Sequence, residues 1–158
     1  METGTREGTL PEETGRLRRI LLALLLLGIV GLAAELVLLE HTESVWQWVP
    51  LAALAVGFAG AVQVLVRPTR RALRFFQAVM VAFVAVGVLG LYLHLRGNLE
   101  FERENDPAVR GLDLLWRAMH GATPALAPGA LAQLGLLGLA CAFRHPALTR
   151  RTPIKETR

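Results

Sequence analysis

Imidazoles and carboxylates gather at one set of predicted helix ends. His41 follows the first apolar block of the chain, His94 ends the third, and His120 precedes the fourth. Glu35, Glu40, Glu43, Glu100 and Glu102 fall within reach of the same layer. Imidazole with carboxylate is a ligand set suited to zinc, iron, copper or nickel. Bundle proteins build metal sites from side chains on facing helices. One reading is therefore an outward-facing site for a divalent transition metal on Glu35, His41, His94 and His120. No HExxH or CxxC motif accompanies it, and histidine and glutamate are also ordinary interfacial residues.

Glu35 lies about one turn inside its apolar block. An ionised carboxylate costs about 2.5–3.5 kcal/mol at the centre of a membrane helix and less near the interface. Glu35 is expected to face other helices and take a partner, His94 first, or to shift its pKa. Three roles stand open for it: proton or cation handling, an interhelical hydrogen bond, and snorkelling to the surface. Gln63 and Gln77 lie toward the opposite, cytoplasmic ends of their blocks and can bond across two helices, worth about 0.6 kcal/mol in a membrane. The chain has no P-loop, no dinucleotide glycine motif, no GxSxG elbow and no intramembrane Ser–His or paired-Asp arrangement. An enzyme is not expected.

The elements that must position these residues are four apolar blocks, about 20–39, 45–66, 73–95 and 124–143. The 158 residues are 53% hydrophobic and only 19% charged, and the charges fall almost wholly between the blocks. That distribution excludes a soluble globular enzyme, a disordered chain and a disulfide-stapled domain. Each block is long enough to cross a hydrocarbon core of about 30 Å at 1.5 Å per residue. Helix is the open-chain solution there, because lipid satisfies no free backbone N–H or C=O. Cys141, the single cysteine, sits inside a block and reads as a buried inert thiol.

Arginine and lysine give an orientation. The N-terminal segment, the second connection and the C-terminal segment together hold 13 of the 17 basic residues. The first connection holds none, and the third dilutes four arginines with acids. Both ends of the chain are expected in the cytosol of a bacterial inner membrane. Trp46, Trp48, Tyr92 and Trp116 all fall at the predicted outer interface, where amphipathic rings are most stable. Residues 1–15 read as a disordered cytosolic tail and 147–158 as a basic one, around a membrane domain of 16–146. A competing expectation is a signal peptide removed near Ala33-Ala34, against which the apolar run continues to Leu39.

The third connection carries its own signals. Gly97-Asn98 reads as a helix stop, followed by an extended stretch over 99–102. Asp106-Pro107 reads as a helix start. Val109, Leu112, Leu115, Trp116 and Met119 then recur at three- and four-residue steps, predicting an amphipathic surface helix over about 107–120. Pro128-Gly129 is expected to kink the fourth span. Four glycine pairs (28/31, 57/60, 87/90 and 135/138) fall near the predicted midplane. They mark either a tight waist, where small residues let backbones approach, or the ordinary abundance of glycine in membrane helices.

The stretches Leu38-Leu39-Glu40-His41, 94–102 and 121–129 resemble segments of small uncharacterised bacterial membrane proteins of four spans. The resemblance implies no activity. The expected fold is all-α: a four-helix membrane bundle with a short surface helix between the third and fourth spans. The expected role is a non-enzymatic accessory or interaction subunit, with the metal or cation site as the alternative. Its expected partners are the lipid bilayer and another membrane protein or a second copy of the chain, and not nucleic acid.

Overall fold

The structure is a computed structural model that describes residues 6–40, 43–121 and 126–149. It is helical, with no strand among the described residues. The elements are α1 (Arg6–Leu38), α2 (Val45–Val66), α3 (Arg70–Asn105), α4 (Gly111–Met119), α5 (Gly129–Ala142) and the single turn α6 (Pro146–Thr149). Three of them are long and apolar enough to cross a membrane: residues 12–38 of α1, all of α2, and α3.

Local chemistry sets several ends. The Ser44 amide donates to Gln47 Oε1 at 2.9 Å, opening α2. The Thr69 hydroxyl accepts from the Ala72 amide at 3.2 Å, opening α3 after the Pro68 turn. Glu40, at φ 52°, turns the chain out of α1.

α3 packs against α2 and α5, and α1 packs against the same two. Their shared core comprises Leu25 and Ile29 of α1, Leu54 and Val64 of α2, Phe76, Met80 and Phe83 of α3, and Leu131 and Cys141 of α5. The same helices are apolar on their outer faces too: Leu27 is 69% exposed, Val88 55% and Leu136 58%. A helix that is hydrophobic all round belongs in a core or a membrane, and these outer faces have no protein over them.

The glycines separate the two readings of the waist. A Cβ on Gly87 would lie 2.6 Å from the Ala132 backbone nitrogen, and one on Gly135 would lie 2.6 Å from the Met80 carbonyl oxygen. Gly90 lies against Pro128, Gly28 against Leu134, Gly57 against the Phe83 ring and Gly138 against Met80. Gly60 has ordinary contacts and Gly31 faces open space. The close packing is thus real, and its backbone-to-backbone part lies between α3 and α5.

Four local expectations are corrected. α1 begins at Arg6, inside the stretch read as a disordered tail. α3 does not stop at Gly97-Asn98 but runs on to Asn105. The Arg96–Glu100 ion pair at 2.7 Å spans the glycine, and Asn98 spends its side chain on a tertiary bond instead of a turn. The surface helix starts at Gly111, not 107. Asp106 instead closes α3, its amide bonding to the Glu102 carbonyl, and its carboxylate accepts from the Ala108 amide. Pro128-Gly129 begins α5 and does not kink it: proline already holds the helical φ of −63° at the cap position. Residues 124 and 125 of the expected fourth span lie outside the described residues. At 14 residues α5 is about 21 Å long.

Candidate functional site

The last ten residues of α3, 96–105, carry the helix about 15 Å past its apolar block. They hold α4 against them as a headpiece. Asn98, 3% exposed, donates from Nδ2 to the Ala118 carbonyl at 2.9 Å. Gly121 lies so close to Asn98 that a Cβ there would fall 2.8 Å from Asn98 Cγ. Arg117 reaches Asp106 at 3.5 Å and Asp113 at 3.3 Å. Arg96 and Glu100, at 2.7 Å, add a further ion pair along α3.

At 100° per residue, α4 has three faces. Leu114 and Ala118 are buried against α3. Asp113 and Arg117 form the charged face. Leu112 (83% exposed) and Trp116 (66%) form an apolar face left uncovered. Between α3 and α4 a cavity of about 450 Å³ is lined by Arg103, Pro107, Val109, Arg110, Gly111 and Leu114.

The residues singled out for metal are placed separately. Glu35 is exposed on the last turn of α1, with no ion pair among the described residues, so the expectation that it faces its neighbours is corrected. One turn from the helix end, a glutamate side chain is long enough to reach the polar layer. His94 is half-buried on α3. His120 is exposed, its ring tilted 45° to that of Trp116 at 4.3 Å between centroids, with Nδ1 2.9 Å from the Trp116 carbonyl. His41 lies outside the described residues. Among the described residues, no three His, Cys, Asp or Glu side chains come together to hold a metal. Gln63 is exposed and Gln77 half-buried, and no hydrogen bond joins them among the described residues.

The opposite end of the structure holds a group of residues that were read in the sequence only as topology signals. Arg18 of α1 donates from Nη2 to the carbonyls of Phe143 at 2.9 Å and Arg144 at 3.2 Å. It thereby caps the C-terminus of α5, where the orphan carbonyls and the negative end of the helix dipole meet. Arg144 takes φ 48°, reversing the chain, and its guanidinium lies 6.0 Å from the Phe143 ring centroid. The Ala147 amide donates to His145 Nδ1 at 3.2 Å, so the neutral ring carries its proton on Nε2. No sequence motif joins Arg18 to Arg144, which is why spacing alone did not find this group.

Burial, and then the positive charge of Arg18, lower the His145 pKa from its ordinary 6.5. The unfolded ring therefore takes a proton at a higher pH than the folded one. The contribution of His145 to stability is full above pH 6.5 and falls as the pH drops through that value toward the depressed one. The basic groups that line the same cavity are Arg18, Arg19 and Arg144. In detergent, the thermal midpoint of the full chain is expected to fall between pH 7.5 and 5.5, and His145→Gln to reduce that fall. An unchanged fall in His145→Gln would remove His145 as its source.

Comparison with family models, with curated proteins and with solved structures finds no match to this chain.

Proposed function

We propose that the chain is a four-span protein of a bacterial inner membrane, with both ends cytosolic, serving as a non-enzymatic interaction subunit. The even span count is supported by the bonds from Arg18 to Phe143 and Arg144, which bring the start of the first apolar run and the end of α5 to one level. Antiparallel contacts of α5 along α3, from Pro128 at Gly90 to Gly138 beside Met80 and Phe76, carry it across the same layer as its neighbours. α5 alone is shorter than the hydrocarbon core of about 30 Å. The turn preceding it packs against α3, and non-helical backbone is tolerated at membrane depth where protein covers it. The clustering of 13 of 17 basic residues supports placing that end in the cytosol.

The observation that carries the interaction role is the headpiece. It is pinned by Asn98, it stands outside the apolar layer, and it holds a groove between Arg103 and Arg110 over an apolar base of Val109 and Leu114. The exposed Leu112–Trp116 face lies beside it and suits the bilayer interface, where amphipathic rings are most stable. The groove faces water and is where a second membrane protein docks.

Two measurements test this reading in cells. A photo-crosslinker at Arg110 is expected to give a discrete protein adduct, and one at Leu112 to give lipid. Lipid or nothing at both positions would end the interaction reading. For orientation, Arg70→Cys in a Cys141→Ser background is expected to resist a membrane-impermeant maleimide until the cells are permeabilised. Labelling of intact cells would reverse the topology.

A further inference from the structure

A second cavity, of about 520 Å³, opens at the arginine-rich end between α1, α2, α3, α5 and α6. Its size falls in the range of roughly 300–1,000 Å³ typical of small-molecule sites. Its floor is apolar, formed by Leu22, Val64, Phe76 and Cys141, all nearly fully buried. Its rim is basic, formed by Arg18, Arg19, Arg144 and His145. No Asp or Glu is among the described residues lining it. Leu65 both lines the cavity and is exposed on α2, so its apolar side is continuous with the lipid-facing surface.

We infer that this cavity binds the phosphate headgroup of an anionic lipid, seated between residues 14–22 of α1 and the C-terminal end of α5. Three features of the rim fit that chemistry. Arg18 is already held in place by two carbonyls through Nη2 alone, which leaves the donors on Nη1 and Nε for an anion. His145 accepts the Ala147 amide at Nδ1, leaving Nε2–H as a neutral donor. Arg19 and Arg144 are exposed cations without a carboxylate partner among the described residues. Uncompensated arginines over an apolar floor match an amphiphile with a negative head. Basic pockets between membrane helices on the cytosolic side take phosphate headgroups for this reason. A soluble phosphate would use the rim but leave the floor empty, so the floor favours the lipid.

The inference rests on the membrane placement proposed above, but not on its orientation or on the headpiece. Binding is read in detergent and topology by cysteine labelling, so the two failures are distinguishable. The full chain, purified in a neutral detergent, is titrated with phosphatidylglycerol, with phosphatidylcholine and with inorganic phosphate. Retained lipid is measured by native mass spectrometry, and the His145 ring is followed by NMR. Phosphatidylglycerol is expected to bind at least tenfold more tightly than phosphatidylcholine and to raise the His145 pKa, as a nearby anion must. Arg19→Gln with Arg144→Gln is expected to weaken phosphatidylglycerol by about 25-fold, fivefold for each arginine. Arg19→Gln alone is expected to give the fivefold step, and it removes no bond of the fold. Equal affinity for the two lipids, or unchanged phosphatidylglycerol binding in the single and double variants, would overturn the site. Inorganic phosphate shifting His145 where phosphatidylglycerol does not would overturn the lipid and leave a soluble anion.

Discussion

Gly87→Leu is expected to prevent recovery of folded protein from membranes, and Gly87→Ala to lower stability by about 1–3 kcal/mol. At position 87 the first added carbon already meets the Ala132 backbone nitrogen at 2.6 Å and its Cα at 3.0 Å. Neither atom belongs to a side chain that can rotate away. Relief requires α3 and α5 to separate, and that separation would also open the Met80–Gly135 approach one step further along. In lipid no hydrophobic force draws two helices together, so losing close contact removes much of what holds them. Gly31→Ala is the internal control. Nothing lies within 4 Å of its added carbon, and alanine is favoured over glycine in a helix interior by about 1 kcal/mol. The same chemical change is therefore expected to destabilise at 87 and to be neutral or stabilising at 31. Thermal midpoints of the full-length variants in one detergent read the sign directly. Equal shifts at the two positions would show that the α3–α5 approach does not hold the structure together.

The glycine pattern also shows how far the sequence reaches. Apolar block length located α2 closely and the membrane part of α3, because helix is the form that satisfies backbone groups in lipid. The three-residue glycine spacing marked the depth at which helices meet. It did not say which glycines meet backbone, since Gly31 and Gly87 look alike until α5 is in place. Gly97-Asn98 failed for the opposite reason. Its local signal for a stop is sound in isolation, but Asn98 finds a buried partner 20 residues away and the helix continues. Asp106-Pro107 is a true boundary signal, but it closes α3 and does not open the surface helix, whereas Pro128-Gly129, read as a kink within a span, is the start of α5. The arginine-end cavity was least legible. Arg18 and Arg144 are 126 residues apart, and a count of basic residues treats them as topology markers. Their convergence on one helix end exists only in three dimensions.

Asn98→Leu is expected to free the headpiece while leaving the packing of the long helices intact. Leucine is close to asparagine in size but donates nothing, so the Ala118 carbonyl loses its buried partner. The carbonyl keeps the Gly121 amide at 3.4 Å, so the loss is that of one hydrogen bond, about 0.5–1.5 kcal/mol. The cost falls on α4 alone, because α4 packs chiefly on α3 and contributes no side chain to the main core. Leu114→Cys in the Cys141→Ser background reports it, since position 114 is buried against α3. Maleimide labelling there is expected to rise by about two- to tenfold when Asn98→Leu is added, following the open population at tenfold per 1.4 kcal/mol. The thermal midpoint of the long helices should stay near that of the parent, which separates this variant from Gly87→Leu. An unchanged labelling rate would mean that α4 is held by Leu114 and the Arg117 pairs and not by Asn98. Because the groove at Arg103 and Arg110 exists only while α4 is docked, the Arg110 crosslink to a partner should disappear in the same variant. Its survival would place the partner on a surface that α4 does not shape.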